Sequence, residues 1–440
     1  MKNSHEGTKT RRNTKHVGSP LRAFVSSCET QNLTPKLRFP EFRDGPGWED
    51  RPLNDFLSES RLPGSKGNVA KKITVKLWGN GVFGKNEAVQ GSVNTQYFRR
   101  KAGQFIYSKL DFLNQAFGII PPSLDNFEST VDLPCFDIAE GLSAQFLLEY
   151  VKRKDFYERL GETADGSRKA RRIHAETFLS FTIALPPPAE QHKIASCLSS
   201  LDDLIGAESQ KLDALKTHKK GLMQQLFPRD GETRPRLRFP EFQNGPEWRS
   251  DSLGNLFETT SGGTPSRSVQ PYWGGNIPWV TTSLVDFCVI TEAEEFISEV
   301  GLQNSSAKLF PKGTVLVAMY GQGKTRRKVA LLGIEAATNQ ACAAILPRKE
   351  IDPHFVFVSL AGRYEELREL SNSGGQENLS QGLIREIPFS YPSDETEQRT
   401  IISCLSSLDD LIAAQSDQVE ALKTHKKGLM QQLFPATEDN

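Results

Sequence analysis

The strongest hydrophobic pattern in the chain occurs twice, in two segments rich in helix-forming residues. From Ala189 to Phe227 no proline interrupts the segment, and mainly apolar positions recur in alternating steps of four and three. In the first segment these positions are Ile194, Leu198, Leu201, Ile205, Glu208, Leu212, Leu215, Lys219, Leu222 and Leu226. In the second they are Ile401, Leu405, Leu408, Ile412, Gln415, Val419, Leu422, Lys426, Leu429 and Leu433. This heptad seam predicts two long helices, each about 58 Å long at ~1.5 Å per residue, that pair as a coiled coil.

The two lysines in the seam indicate how the helices pair. A parallel, in-register pairing would place Lys219 against Lys426 in one buried layer, which is unfavourable. An antiparallel pairing sets each lysine level with an apolar layer, where its stem can extend outward to water. We therefore expect an antiparallel coiled coil. The alternative is two separate helices, each buried on its own domain, and the regularity of the seam argues against it.

The chain contains an internal sequence repeat, of which these two segments are part. The repeated blocks are LRFPEF (Leu37–Phe42 and Leu237–Phe242), CLSSLDDLI (Cys197–Ile205 and Cys404–Ile412) and ALKTHKKGLMQQLFP (Ala214–Pro228 and Ala421–Pro435). Between these blocks the halves diverge, although AGQFIYSKL from Ala102 still parallels KGTVLVAMY from Lys312. The sequence is thus a two-fold tandem duplication, with a shared framework at both ends of each half and a variable body between them.

The variable bodies mix short strand-like runs with helical segments. In the second body, Lys312–Met319 and Lys328–Ile334 predict strands, and His354–Leu370 predicts a helix. The predicted fold class is therefore α+β, with two tandem domains of mixed α and β structure and two long helices. We place the domains at 35–188 and 229–395, the helices at 189–228 and 396–435, a disordered basic tail at 1–34 and a short tail at 436–440.

Composition limits the function classes. The chain has 54 basic and 54 acidic residues, so nucleic-acid binding would have to come from local basic patches. No apolar run is long enough to span a membrane, and the N-terminus lacks the apolar core of a secretory signal. The six cysteines form no CxxC pair, so a reducing cytoplasm is the default, with Cys197 and Cys404 expected as small core residues. The seven histidines show no metal-binding spacing.

The segment MYGQGKTRRK, from Met319 to Lys328, resembles the end of a phosphate-binding loop. Such a loop needs a glycine where this chain has Ala318, and it must open a helix, whereas a strand-like run follows here. We therefore argue against ATP binding and favour DNA contact, with a solvated basic hairpin as the alternative. The residues suited to phosphate or base contact are Tyr320, Gln322, Lys324, Thr325 and Arg326.

Other candidate DNA contacts lie in both bodies. The turn-rich segment Ser261–Val280 of the second body offers phosphate-binding side chains, whereas its Trp279 is expected to be buried. These candidates are Thr264, Ser266 and Arg267. In the first body the basic segment GSRKARR supplies Arg168, Lys169, Arg171 and Arg172, although for this segment taken alone a solvated loop is the favoured interpretation. Residue type alone adds Lys76, Trp78 and Lys85.

In their order along the chain, these motifs resemble the specificity subunit of a type I restriction–modification enzyme. The resemblance runs from Lys36 to Pro435. It rests on the paired LRFPEF…W starts, SGGTPSR with YWGGNIPWV, KGTVLVAMYGQGKTR followed by ATNQAC, and the EQ…LSSLDDLI helices that end in QQLFP. The first body departs from the pattern, because it has TVKLWGNGVFGKNEAVQGS where the second has SGGTPSR. This difference indicates a recognition domain of another subtype.

The resemblance implies that each body is a target-recognition domain for one half of a bipartite site in double-stranded DNA. It also implies an antiparallel coiled coil that fixes the gap and docks two methyltransferase subunits, through which restriction subunits join. The residues expected in the coiled coil and partner contacts are Leu198, Leu201, Ile205, Leu212, Leu215, Leu405, Leu408, Ile412, Val419 and Leu422. Such a subunit has no catalytic activity and no cofactor, and S-adenosylmethionine, ATP and Mg²⁺ belong to its partners.

Two other functions remain open from the sequence alone. One is a coiled-coil adaptor that joins protein partners without recognising DNA. The other is a nucleotide-hydrolysing enzyme that uses GQGKT. The sequence shows neither an adenine-methylase motif nor a clear nuclease cluster of carboxylates and lysine.

Overall fold

A computed structural model describes residues 33–85, 91–162, 172–229, 231–319, 328–372 and 379–435. The chain divides into two units. The first contains the residues up to Ser200 together with those from Lys426 onward, and the second runs from Leu201 to His425. Most of the predicted tail at 1–34 lies outside the described residues.

The first unit contains eleven described strands and three short helices. The strands are β1 (Glu49–Pro52), β2 (Leu57–Glu59), β3 (Pro63–Lys66), β4 (Ile73–Val75), β5 (Val82–Gly84), β6 (Gln96–Arg99), β7 (Phe105–Tyr107), β8 (Phe117–Ile119), β9 (Glu128–Ser129), β10 (Cys135–Ile138) and β11 (Thr182–Leu185). The short helices are α1 (Ala144–Val151), α2 (Lys154–Glu162) and α3 (Ala175–Ser180), and the long helix α4 (Pro188–Leu226) begins in this unit.

The second unit contains the remaining described strands and helices. The strands are β12 (Arg249–Ser252), β13 (Thr259–Ser261), β14 (Trp273–Val280), β15 (Val289–Ile290), β16 (Glu295–Ile297), β17 (Leu309–Phe310), β18 (Val315–Ala318), β19 (Val329–Leu332), β20 (Ala336–Thr338), β21 (Cys342–Ile345) and β22 (Pro388–Tyr391). The helices are α5 (Leu253–Leu256), α6 (Glu299–Gln303), α7 (Pro353–Gly362), α8 (Tyr364–Asn372), α9 (Gln381–Glu386) and α10 (Glu395–Leu433), whose last turns belong to the first unit.

The two bodies share the topology of their central sheet. Its strand order is β2-β10-β7-β8 in the first unit and β13-β21-β18-β19-β15 in the second. Strands β7 and β18 are the segments that the alignment of AGQFIYSKL with KGTVLVAMY predicts to correspond. In each unit a two-stranded ribbon, β1-β11 or β12-β22, connects the start of the body to the strand before the long helix. The predicted duplication and the α+β class are confirmed.

The corresponding sheets carry different side chains into their cores. In the first unit the core is aromatic, with Phe105 stacked on Phe178 at 5.5 Å between ring centroids and Tyr107 on Phe136 at 5.9 Å. The central strand of the second unit is instead wholly aliphatic, as in Val315–Ala318. The bodies therefore keep the sheet while the side chains that fill its core diverge.

The two long helices have 39 residues each, and the predicted seam is their less exposed face. In the second unit Gln415 Nε2 donates to Glu208 Oε2 at 2.6 Å, and Lys219 forms an ion pair with Asp409. The residue numbers of one helix rise as those of its partner fall, so the pairing is antiparallel, as predicted. A third contact along the helix pair follows the same order: Leu226, near the end of α4, belongs to the hydrophobic cluster that contains Ile401 and Leu405, near the start of α10.

The repeated LRFPEF and EQ motifs meet in each unit. Arg38 donates from Nε and Nη2 to the two carboxylate oxygens of Glu190, at 2.8 and 2.7 Å. Arg238 makes the same pair of bonds to Glu397, both at 2.7 Å. The carboxylates are almost fully buried, so each needs the bidentate arginine to remain charged. The same buried ion pair thus joins the two repeated motifs in each half.

Two predictions about the fold are wrong. The helix predicted over His354–Leu370 is two helices, α7 and α8, because Arg363 leaves helical geometry where Gly362 packs against Met223. Cys197 and Cys404 are half-buried, and among the cysteines that the structure describes the buried thiols are those of Cys135 and Cys342. No helix in the described ranges is long and apolar enough to cross a membrane.

Candidate nucleic-acid interface

The SGGTPSR loop of the second unit is held close to the ATNQAC segment. A Cβ atom on Gly262 would lie 2.1 Å from the carbonyl oxygen of Thr338, and one on Gly263 would lie 2.3 Å from the backbone of Ser306. Gly263 N–H also donates to Thr338 O at 2.8 Å. The two glycines therefore allow a backbone approach that no other residue permits, and they fix the polar residues that follow.

The three candidate residues of this loop lie together. Thr264 is half-buried and hydrogen-bonds Gln340 of the ATNQAC segment, while Ser266 and Arg267 are exposed. The backbone carbonyl of Ser266 accepts a hydrogen bond from Trp273 Nε1 at 3.1 Å. The structure thus brings hydroxyl, amide and guanidinium groups to one surface, the chemical mixture that hydrogen-bonds phosphates and base edges.

Arg267 is the most constrained of these groups. Its guanidinium carbon lies 3.7 Å from the ring centroid of Trp273 and 5.1 Å from that of Trp279, which is buried as predicted. Its Nη2 donates to Glu295 Oε1 at 3.0 Å. This hydrogen bond raises the pKa of Arg267 and lowers the pKa of Glu295. A DNA phosphate would therefore have to compete with an existing carboxylate for this arginine.

The basic GQGKT segment lies outside the described residues, which includes the candidates Tyr320, Gln322, Lys324, Thr325 and Arg326. Its described flanks are strands β18 and β19, which pair antiparallel with Val317 opposite Val329. The element after the segment is thus a strand, where a phosphate-binding loop of the nucleotide-hydrolysing type opens a helix. Lys328, the residue before β19, pairs with Asp286, and its Nζ lies 5.7 Å from the ring centroid of Phe287.

The candidates of the first unit lie on and around the β4–β5 hairpin. Lys76 and Trp78 are exposed in its turn, and Lys76 Nζ lies 4.2 Å from the ring centroid of Phe83 on β5. Lys85 follows β5 and is also exposed. Its backbone N–H donates to the backbone carbonyl oxygen of Lys72 at 2.8 Å. Arg172 is exposed, whereas Arg168, Lys169 and Arg171 lie outside the described residues. The structure therefore places Lys76 and Trp78 together in the turn of the hairpin, whereas Lys85 lies at the other end of the hairpin, opposite Lys72.

The residues chosen for the coiled coil all lie on the predicted seam. Leu198 and Leu405 are fully buried, Val419 is nearly so, and the other seven are half-buried. Those seven are Leu201, Ile205, Leu212, Leu215, Leu408, Ile412 and Leu422. Their burial comes from packing within the chain, so the exposed faces of α4 and α10 are the surfaces left for a partner.

Sequence reasoning missed two residues of the surface in the second unit. Gln340 was not chosen, although it contacts Thr264 and lies in the ATNQAC segment that the resemblance uses. Lys308 was also missed, and its ammonium donates to Thr260 Oγ1 beside the SGGTPSR loop. The signal for Gln340 was present in the motif, whereas nothing in the sequence around Lys308 indicated its position. Within the ranges that the structure describes, no group of three His, Cys, Asp or Glu residues is placed to hold a metal ion.

Comparison with known proteins identifies the family of the chain. A family model described as the type I restriction modification DNA specificity domain matches residues 138–217 and 246–423, which is more than half of the chain. The MjaIX specificity subunit of Methanocaldococcus jannaschii is 29% identical over 185 residues, 40% of this chain and 41% of that protein. The putative MjaX specificity subunit of the same organism is 25% identical over 293 residues, 66% of each chain. The chain thus spans about two fifths and two thirds of the lengths of these relatives.

Solved structures share the fold. The S subunit of a type I system from M. genitalium superimposes with a TM-score of 0.55 at 17% identity, over 92% of this chain and 100% of that one. A structure from work on type I R-M complex assembly gives a TM-score of 0.58 at 14% identity, over 89% and 98%. The domain match, the relatives and the fold agree, and this chain belongs to the type I restriction modification DNA specificity family.

Proposed function

We propose that this chain is the DNA specificity subunit of a type I restriction–modification complex. In this proposal each body recognises one half of a bipartite site in double-stranded DNA. The observation that carries the proposal is the contrast between framework and surface. The two units share their central sheet order and the arginine–glutamate pairs, yet one presents the KLWGNG turn and the other the SGGTPSR loop. Two domains with the same framework but different surface loops are suited to recognising two different DNA half-sites.

Recognition would combine a general and a specific contribution. Lysine and arginine side chains on each surface release counterions from the DNA and hold the duplex in place. Polar side chains such as Thr264 and Gln340 of the second unit can hydrogen-bond base edges, where one good bidentate contact discriminates by roughly 1–3 kcal/mol. Because the net charge is zero, affinity depends on these local groups.

The paired helices would set the separation of the half-sites and dock the partners. A stiff antiparallel coiled coil fixes a distance, as protein symmetry fixes half-site spacing in dimeric DNA-binding proteins. The proposed partners are two methyltransferase subunits on the helices, with restriction subunits joining through them in the cytoplasm. Adenine methylation and ATP-dependent cleavage would belong to those partners, together with S-adenosylmethionine, ATP and Mg²⁺. This chain would take no catalytic step itself.

The test is selection of DNA from a pool of random 40-base-pair duplexes by the full chain, alone and with its methyltransferase subunit. We expect the recovered duplexes to share two short half-sites separated by a constant number of unspecified base pairs. Their affinity should fall steeply with salt concentration. A chain that recovers no common sequence under either condition, yet still assembles with the methyltransferase, would be a protein–protein adaptor, and the proposal would be wrong.

A further inference from the structure

Each unit holds one exposed aromatic residue in a left-handed backbone conformation. Trp78 has φ +60° and its side chain is 63% exposed, and Phe287 has φ +52° and is 38% exposed. Left-handed φ is rare outside glycine, asparagine and aspartate, and for a bulky residue it is a real outlier. Among the described residues with positive φ, Trp78 and Phe287 are the only aromatic ones.

The two residues occupy corresponding places beside the shared sheet. The N–H of Trp78 donates to Asn114 O at 2.7 Å, three residues before strand β8. The N–H of Phe287 donates to Val329 O at 2.9 Å, at the first residue of β19. Strand β8 pairs with β7 as β19 pairs with β18, so each is the second strand of the central hairpin of its unit. Each unit thus fixes an aromatic residue beside the same end of its central hairpin, although the local sequences are unrelated.

The turn around Trp78 is tightly held although its side chain is exposed. Gly79 N–H donates to Gln115 O at 2.9 Å, Lys76 N–H donates to Gly81 O at 2.9 Å, and Asn80 Nδ2 donates to Leu77 O at 2.8 Å. These bonds hold Trp78 in a conformation that a glycine would adopt without strain. A strained backbone and an exposed indole both oppose folding, so folding does not explain the choice of tryptophan here.

A lysine lies near each ring, in different surroundings. Lys76, two residues before Trp78, is exposed with its Nζ over the ring of Phe83, whereas Lys328, whose Nζ lies 5.7 Å from the ring of Phe287, is ion-paired with Asp286. An exposed aromatic side chain flanked by lysine suits a partner that offers both flat apolar faces and negative charge. Nucleic acid has both, in its bases and its phosphates, and apolar wedges that enter base steps are known in DNA-binding proteins.

We propose that Trp78, with Phe287 as its counterpart in the second unit, inserts its ring against a base step of the half-site that its unit recognises. This inference rests on the proposed function and adds a specific role to it. The ring would stack on a partly unstacked base, and in the first unit the exposed Lys76 would contact the adjacent phosphate. Because the deformation energy of a base step depends on its sequence, the wedge would also contribute to specificity.

The test compares three variants of the full chain on a duplex that the wild type recovers from random 40-base-pair DNA. Trp78→Gly removes the ring and relieves the backbone strain, whereas Trp78→Phe keeps a ring that can stack. Gln115→Gly is the matched control, because it relieves strain at φ +56° in the neighbouring turn and removes no ring. Affinity is measured by fluorescence anisotropy and thermal stability by the melting temperature.

We expect Trp78→Gly to bind DNA about 5- to 150-fold more weakly, the range for loss of one stacked base. Its melting temperature should equal or exceed that of the wild type. Trp78→Phe and Gln115→Gly should bind within about 3-fold of the wild type, since a stacking loss begins near 5-fold.

Several results would overturn the inference alone. These are unchanged binding by Trp78→Gly, a lowered melting temperature that reveals a structural role, and equal losses in Trp78→Gly and Trp78→Phe. If Trp78→Gly no longer assembled with the methyltransferase subunit but kept its DNA affinity, the turn around Trp78 would be a protein-docking site instead. A wild-type chain that recovers no duplex would contradict the proposed function, and this inference with it.

Discussion

The Nζ atom of Lys426 lies 3.1 Å from Oε2 of Glu149, a carboxylate that is fully buried in the first unit. The other oxygen of Glu149 lies 2.6 Å from Lys152 Nζ. Lys219 occupies the same position in the repeated helix block, but in the second unit it pairs with Asp409, whose side chain is 56% exposed. One residue of an identical sequence block therefore has two electrostatic environments, because the bodies next to it have diverged.

The two lysines should therefore contribute unequally to stability. Lys426→Met removes one of two cations from a buried carboxylate, and we expect a loss of about 2–3 kcal/mol, below the roughly 3–5 kcal/mol for breaking a buried pair completely. Lys219→Met breaks an exposed pair, for which about 0–1 kcal/mol is typical. Urea unfolding of both variants of the full chain measures the difference. Equal losses would show that burial of Glu149 does not govern this contact.

The framework pairs of arginine and glutamate should be essential to both units. Glu190→Leu and Glu397→Leu each leave a buried arginine without its carboxylate, at a cost of about 3–5 kcal/mol. Glu397 also accepts a hydrogen bond from Trp248 Nε1 at 3.1 Å, while Trp48 Nε1 has no hydrogen-bond partner within the described residues.

We therefore expect Glu397→Leu to be the more damaging change, by about 1 kcal/mol. Thermal unfolding followed by tryptophan fluorescence tests both variants. A tolerated substitution at either glutamate would show that the arginine–glutamate pair is not essential to that unit.

The parts of the fold that are repeated, or that follow a strict hydrophobic period, could be predicted from the sequence. The seam of α4 and α10 was predicted residue by residue, because a heptad pattern without proline permits few other structures. The antiparallel direction followed from two lysines that would otherwise have met. The central strands β7 and β18 were found by aligning the halves, since backbone pairing constrains both segments in the same way.

The features that depend on tertiary contacts were not accessible. The break between α7 and α8 falls at Gly362, which weakens a helix locally, but its packing against Met223, a residue 139 positions earlier in the chain, is not visible in the sequence. The left-handed backbone of Trp78 depends on hydrogen bonds to Asn114 and Gln115, which the sequence does not bring together. The pairing of Arg267 with Glu295 was missed for the same reason. Candidate DNA-contacting side chains could be selected by residue type, but the residues that they contact in the folded chain could not be predicted.

Thiol reactivity should follow burial. Burial raises the pKa of Cys135 and of Cys342 to about 12, so almost none of either thiol is ionised at pH 8. Cys288 is exposed. In the native chain a thiol-specific reagent at pH 8 should label Cys288 within minutes and leave Cys135 and Cys342 unmodified until the chain is unfolded. Mass spectrometry of digested samples identifies the labelled positions, and rapid native labelling of Cys342 would contradict the packing described for β21.

The pair of Arg267 and Glu295 gives a charge-specific prediction about DNA binding. If Arg267 contacts a phosphate, Arg267→Ala should reduce the slope of log affinity against log salt by about one. Glu295→Gln removes the competing carboxylate and should leave the slope intact while strengthening binding. Lowering the pH through the depressed pKa of Glu295 should act in the same direction, because protonation releases the arginine. An unchanged slope for Arg267→Ala would exclude the phosphate contact.

The proposed function depends most on the paired helices, which would set the distance between two independently recognised half-sites. The most direct measurement inserts one heptad into each helix, at the facing levels of Glu208 and Gln415, and determines the site by selection from random duplexes. Seven helical residues add roughly 10 Å, or about three base pairs at 3.4 Å each. We expect a spacer longer by about three base pairs between unchanged half-sites. An unchanged spacer, or altered half-site sequences, would contradict this role of the helices.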